Sequence, residues 1–165
     1  MSGQIEPVGV VEAMPAVPSR EQIERLQSVM SGMPQVEIET KHYFVPGMYS
    51  RTIALKAGTW IVGKVHKTHH FCIVAAGRVL VASDEGRRML EAGDVLECHP
   101  GAKRAMYAVT DSLWINVHKT DKTDKTPMDE LENELVEPDE TAMFGVGNVL
   151  KDRLPQTVEQ IEEIA

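Results

Sequence analysis

The chain has 165 residues, of which 42% are hydrophobic and only 5% aromatic, so the composition suffices for one ordinary domain with a mainly aliphatic core. The formal net charge is −8, the two cysteines lie outside any CxxC pair, and the longest apolar run, about 71–77, is far too short to cross a membrane. The two isolated cysteines predict a reduced, cytoplasmic setting. No basic flank precedes an apolar N-terminal stretch, so we expect no secretory signal, and we expect no membrane anchor either.

Residues 1–40 are predicted to form an N-terminal arm with one short helix. Glycine and proline interrupt 1–18 so often that no periodicity survives, which indicates an extended segment. Ser19 and Gln22 then form the pattern of a capping box, and apolar residues follow at helical spacing. The sequence therefore predicts an amphipathic helix over about 20–31.

Residues 41–120 are predicted to form the folded domain. From residue 36 onward the hydrophobic period changes from 3.6 to 2, and short apolar runs alternate with glycine, proline and aspartate turn signals. About eight strands at short, regular spacing, with no helical stretch between them, favour an antiparallel sandwich or barrel. The predicted fold class is all-β, with short helices only in the flanking arms.

Residues 121–165 are predicted to form an acidic C-terminal tail with short amphipathic helices near 128–136 and 157–164. The net charge is −4 over 1–40, +5 over 41–120 and −9 over the tail. Solvated acidic ends explain this distribution, and so do acidic arms that lie on basic surfaces of the same or a neighbouring subunit. Each helix has a small apolar stripe, which must dock on the domain or on another chain.

Three of the six histidines lie within five positions at the start of a predicted strand. Neutral imidazole is a ligand that zinc, iron, nickel and copper accept. Strand alternation places His66 and His70 on one face and His69 on the other. We therefore take His66, His70 and His69 as candidate ligands of a divalent transition metal, such as zinc, iron, nickel or manganese. Further donors for a third ligand are His99, His118 and Cys72.

The pattern over about 50–118 resembles the cupin superfamily of small jelly-roll β-barrels. Cupins carry a first motif of Gly, five residues, His-x-His, three or four residues, Glu, six residues and Gly. Their second motif is Gly, five residues, Pro-x-Gly, two residues and His. Gly77 matches the closing glycine of the first motif, and Gly93 and Gly101 match the glycines of the second. The resemblance implies a jelly-roll β-barrel whose metal ligands come from both motifs.

The ligand positions that this resemblance implies are mostly changed. His66 occupies the second histidine position and His70 the glutamate position, whereas Lys64 occupies the first histidine position. Arg104 stands at the last histidine position, and His99 at the proline position. A guanidinium stays protonated and has no lone pair, so Arg104 cannot ligate a metal. Lys64 would have to lose its proton, which is costly unless its environment lowers its pKa strongly.

Three interpretations of this cluster remain open. In the first, His66 and His70 bind a metal with a third donor. In the second, the pocket holds no metal, and Lys64, Arg104 and His99 beside these histidines attract an anion such as a carboxylate. In the third, the imidazoles are satisfied by each other and by the backbone inside the domain.

Three separated segments, 66–77, 100–104 and 111–118, resemble degenerate cupin-like proteins encoded by tailed bacteriophages and prophages. That resemblance implies a viral setting but no reaction, since one fold hosts many functions. We therefore expect a non-enzymatic component of a virion or assembly complex, located in the virion or the host cytoplasm. It would bind copies of itself and other phage proteins through its barrel and arms.

The alternative is a metal-dependent cupin enzyme or a small-molecule-binding protein that uses the pocket of His66 and His70. Nucleic acid is not an expected partner, because the chain has no glycine-rich phosphate loop and the basic pair Lys103 and Arg104 is too little for nucleic-acid recognition. A membrane is not an expected partner either.

Overall fold

The computed structural model describes residues 15–139, 142, 144–148 and 150. The predicted extended segment before residue 15 and the predicted helix at 157–164 lie outside this part of the chain. Among the described residues, no helix has the length and apolar character that a membrane crossing requires.

The described residues form two α-helices, a short 3-10 helix at Val146–Asn148 and nine strands. The helices are α1 (Arg20–Ser31) and α2 (Met128–Leu135). The strands are β1 (Glu39–Val45), β2 (Met48–Leu55), β3 (Trp60–Val62), β4 (His70–Ala76), β5 (Arg78–Ser83), β6 (Gly86–Glu91), β7 (Val95–Cys98), β8 (Ala105–Ala108) and β9 (Ser112–Lys119).

The strands form two antiparallel sheets that face each other. The first sheet has the order β1-β2-β9-β4-β7, and the second has the order β3-β8-β5-β6. The main core lies between them and contains alternate residues of both inner faces, such as Ile53, Val74, Val81 and Trp114. The all-β, antiparallel character predicted from the period of two is therefore present.

The predicted β-barrel is not closed in the described residues, where the two sheets share no strand pairing. The reason is the path of the chain, because most connections after β2 pass from one sheet to the other. Between β4 and β5 a single residue, Gly77, makes this passage with a φ of +78°. Strands joined in this way face each other across the core instead of pairing, so the architecture is a two-sheet sandwich.

Helix α1 covers the outer face of the second sheet. Ser19 caps it, since the Gln22 amide donates to the Ser19 hydroxyl at 3.2 Å and the Ser19 amide donates to the Gln22 side chain at 2.8 Å. Ile23 and Met30 pack on a row of small outer-face residues that includes Ala82 and Ala105. This helix therefore docks on its own domain.

Helix α2 lies against one end of the first sheet, where Leu131 and Leu135 pack against Tyr49. The end of α2 is tied to the segment before β4. The Lys67 amide donates to the Leu135 carbonyl at 2.8 Å, and residue 66 forms an isolated β-bridge with Val136. The acidic tail after residue 120 therefore begins with a helix that closes one end of the sandwich. The three-part domain division at residues 40 and 120 stays a prediction.

Candidate metal centre

His70 and His118 are neighbours on adjacent strands of the first sheet. In the pairing of β4 with β9, Phe71 lies opposite Val117, so the next positions outward, His70 and His118, also lie side by side. Both side chains point toward the sandwich interior, with 5% and 2% of their surfaces exposed. Alternation along the two strands therefore places two imidazoles together from positions far apart in sequence.

His66 reaches the same point from the segment that precedes β4. The Gly101 amide donates to its carbonyl at 3.0 Å, and its bridge to Val136 holds the backbone beside α2. Its ring centroid lies 4.2 Å from that of His70 and 5.0 Å from that of His118. One ring nitrogen from each of the three histidines lies within 4.8 Å of the others.

Each of these three rings carries a buried nitrogen without a hydrogen-bond partner in the described part of the chain: His66 Nδ1, His70 Nε2 and His118 Nδ1. The other nitrogen of His70, Nδ1, lies 2.9 Å from the Thr68 carbonyl oxygen. A carbonyl only accepts, so Nδ1 carries a proton, and in the neutral form of the ring the lone pair is then on Nε2. This is the arrangement that orients a metal-binding histidine.

The protonation state of the cluster suits metal binding. Burial lowers the pKa of His66 well below its usual value, and the positive charge of His70, when protonated, adds to the effect. Burial also lowers the pKa of His118 to about 3. Both rings are therefore neutral at pH 7, with lone pairs free for a cation.

A cavity of about 90 Å³ opens beside His66 and His70. Its polar lining includes three cations, Arg51, Lys64 and Arg104. The rest is mostly apolar and comes from both sheets and the segment after α2, including Ile53, Ile61, Met106, Trp114, Val136 and Phe144. The volume exceeds the roughly 10–15 Å³ that one ordered water requires, so the cavity has room for a small ligand.

Glu132, on α2, forms ion pairs with two of these cations. Its carboxylate lies 3.0 Å from Arg51 Nη2 and 3.2 Å from Lys64 Nζ. It also accepts a hydrogen bond from the Gly147 amide at 2.9 Å. The Glu132 side chain is only 5% exposed, so this carboxylate is buried against two cations that line the cavity.

A hydrogen-bonded row lies behind the cluster. Tyr49, which pairs with His118 across β2 and β9, accepts a hydrogen bond from Arg51 Nε at 3.0 Å. The Tyr49 hydroxyl also lies 2.6 Å from His42 Nδ1. Burial raises the pKa of Tyr49 and lowers that of His42. These groups hold Arg51 in position while staying uncharged themselves.

Two cysteines lie beside His70, and Cys72 lines the same cavity. The Sγ atoms of Cys72 and Cys98 are 3.1 Å apart, and the Cys72 thiol lies 2.9 Å from the Asn116 side-chain oxygen. Their mutual hydrogen bond lowers the pKa of Cys98 and raises that of Cys72. With the His70 ring, the two thiols form a second group of metal-ligating atoms within 4.8 Å.

The predicted site residues divide between the interior and the surface. His66, His70, Lys64 and Arg104 line one cavity. His69 does not join them: its ring is exposed and lies 2.8 Å from the Glu97 carboxylate and against the ring of His99. His69, Glu97 and His99 form an exposed group on the outer face, where a side chain that alternates with His70 must lie. The metal assignments to individual residues stay predictions.

The sequence-based site missed Arg51 and Glu132 and gave His118 only as one of several third donors. The sequence contains only weak indications that these residues belong to the site. Arg51 occupies an inward position of β2, and Glu132 interrupts the apolar stripe of α2. A charged residue in a buried pattern indicates a buried partner, but the pattern does not say which partner.

No family model and no curated protein matches the sequence. Several solved structures share part of the topology. KdgF from Halomonas sp. is 22% identical, with a TM-score of 0.46 over 55% of this chain and 86% of its own. A Cupin 2 conserved barrel domain protein from Salinispora arenicola is 20% identical, with a TM-score of 0.41 over 48% of this chain and 71% of its own. A cupin-2 domain containing protein from Shewanella frigidimarina is 12% identical, with a TM-score of 0.44 over 58% and 92%.

These structural neighbours include cupin-2 domain proteins, but identities and scores at this level establish neither a family nor a function for this chain. The predicted viral setting therefore stays a prediction, and the function has to be argued from the site.

Proposed function

We propose that this chain binds a divalent transition metal through His66, His70 and His118, and that a small molecule binds in the adjoining cavity. The observation that supports this most strongly is the convergence of the three rings, with one nitrogen from each within 4.8 Å. Each ring also keeps a buried nitrogen without a partner in the described chain. Buried polar atoms are rarely left unsatisfied, and a bound cation would satisfy these.

Three imidazole nitrogen donors favour zinc, iron, nickel or copper over manganese, which prefers oxygen ligands. When bound, such an ion supplies Lewis-acid polarisation of a ligand atom, and three protein donors leave further positions open. The chain's own residues do the rest. The Thr68 carbonyl orients His70, burial keeps His66 and His118 neutral, and the mostly apolar cavity wall limits the entry of water.

The structure supports the other interpretations of the site to different degrees. Imidazoles satisfied by each other and by the backbone are hard to reconcile with three unpartnered ring nitrogens among the described residues. An anion-binding pocket is compatible with a metal centre, since Lys64 and Arg104 line the same cavity. The virion or assembly role drew on both arms, of which 1–14 and 151–165 lie outside the described residues. It stays a prediction.

Elemental analysis of purified protein tests the proposal. We expect close to one equivalent of a transition metal after exposure to zinc, iron or nickel, and loss of most of it in His70→Ala and in His118→Ala. His69→Ala is the matched control, because this ring is adjacent in sequence but lies on the outer face. Equal metal content in wild type, His118→Ala and His69→Ala would show that the interior cluster is not the binding site.

A further inference from the structure

The three cations in the cavity wall are not equivalent. Arg51 and Lys64 share the Glu132 carboxylate, at 3.0 Å and 3.2 Å. Arg51 also donates to the Tyr49 hydroxyl at 3.0 Å. Each of these two side chains therefore has an anionic partner inside the protein.

Arg104 is different. It is only 8% exposed, its Nη2 atom is buried without a hydrogen-bond partner, and it forms no ion pair within the described residues. Its main chain has an ordinary structural role, since the Arg104 carbonyl accepts a hydrogen bond from the Gly63 amide at 3.0 Å. A guanidinium cannot lose its proton to escape burial. A buried, unpaired cation is costly, so the geometry indicates a missing anion.

The group that the anion presents follows from Arg104. Arg51 and Lys64 share the Glu132 carboxylate, whereas no carboxylate pairs with Arg104 among the described residues. The planar fork of a guanidinium fits the two oxygens of a carboxylate, and one carboxylate matches the charge of this one unpaired cation. Inorganic phosphate has no hydrocarbon body and does not match the apolar part of the lining.

The size of the ligand follows from the cavity. Its volume is about 90 Å³, and much of its lining is apolar, including Ile53, Ile61 and Met106. A ligand with a short hydrocarbon body and a single carboxylate satisfies both the charge and the lining. His66 and His70 line the same cavity, so such a ligand lies within the space adjoining the proposed metal.

We propose that the cavity binds a small monocarboxylate whose carboxylate pairs with Arg104. This inference rests on the proposed function, which makes the cavity a ligand site, and it adds the chemical class of the ligand. The pairing itself requires no metal. Binding measured in metal-free protein therefore separates a failure of this inference from a failure of the metal proposal.

The experiment titrates metal-free, full-length protein with sodium propionate at constant ionic strength and follows methyl chemical shifts by NMR. Propionamide, which has the same shape without the charge, and inorganic phosphate are titrated in parallel. We expect saturable binding of propionate, and binding at least tenfold weaker for propionamide and for phosphate. Arg104→Gln should weaken propionate binding by about 10- to 100-fold, because a charge-assisted hydrogen bond is lost. Arg78→Gln, which removes an exposed cation, should change nothing.

Thermal unfolding shows whether a variant loses ligand binding only because its fold is destabilised. Because Arg104 has no protein partner among the described residues, Arg104→Met should unfold at the wild-type temperature or above it, and propionate should raise the midpoint of the wild type only. Four results would each overturn the proposal: equal affinity for propionate and propionamide, tighter binding of phosphate, propionate binding that requires added zinc, or a lower midpoint in Arg104→Met without any ligand effect.

Discussion

Glu132 provides the sharpest test of how this cavity is built. In Glu132→Gln the two cations that it serves, Arg51 and Lys64, lose their counter-charge while their side chains stay 10% and 18% exposed. Removing one partner of a buried ion pair costs about 3–5 kcal/mol. The new amide keeps one oxygen that can still accept from Arg51 or from the Gly147 amide, so we expect the lower end of this range, about 3 kcal/mol.

For a chain of this size each kcal/mol lowers the midpoint of thermal unfolding by about 2–4 °C, so the expected loss is about 6–12 °C. The assay is calorimetric or circular-dichroism melting of metal-free protein at pH 7. Glu130→Gln is the matched control, because it lies on the same helix with an exposed side chain and should change stability by no more than about 1 kcal/mol. A midpoint for Glu132→Gln within 2 °C of the wild type, on the order of 1 kcal/mol or less, would refute the reasoning.

Three further outcomes are expected. In metal-free protein the lowered pKa of His118, about 3 against an ordinary 6.5, means that the unfolded chain binds more protons below about pH 6.5. Stability should therefore fall as the pH drops, by up to about 1.4 kcal/mol per pH unit from this ring, and urea titrations of His118→Asn should lack that part of the slope. Gly77→Ala should destabilise the fold by well over the roughly 1–2 kcal/mol expected for Gly101→Ala, since both glycines have positive φ but only at Gly77 would a Cβ meet the Asp111 carbonyl; equal midpoints would contradict this. We also expect self-association through the outer face of the first sheet, where Phe71 is 51% exposed, so Phe71→Glu should sediment as a monomer, and a monomeric wild type would contradict the expectation.

Local elements were predictable from the sequence because their causes are local. The capping pattern of Ser19 and Gln22 gives α1 its first turn, and the helix spans Arg20–Ser31, the interval that the sequence indicates. The period of two likewise marks most of the strands, since each has one buried face. These features depend on residues within a few positions of one another.

What the sequence could not provide is the pairing of distant strands. His118 lies 48 positions after His70, and only the register of β4 against β9 makes them neighbours. The choice between a sandwich and a barrel was not predictable for the same reason, because strand patterns do not specify which edges pair. The cupin-like spacing did place His66, His70 and Arg104 at a common cavity, although it gave no partner for the arginine.

The acidic tail shows that the composition of a segment does not predict whether the segment is buried in the fold. Net negative charge after residue 120 favours a solvated or partner-binding segment, yet Leu131 and Glu132 are buried at one end of the sandwich. The apolar residues of α2 fix the helix on Tyr49, and this docking carries a carboxylate to two cations that have no other acidic partner in the described part of the chain. The C-terminal end of α2 also holds the backbone at His66, because the Lys67 amide donates to the Leu135 carbonyl and residue 66 forms a β-bridge with Val136. Opening α2 would therefore loosen the segment that carries His66, one of the proposed metal ligands, and leave Arg51 and Lys64 without their carboxylate. A ligand that binds the cavity only in the folded state should stabilise this helix, because such binding shifts the opening equilibrium toward the docked helix.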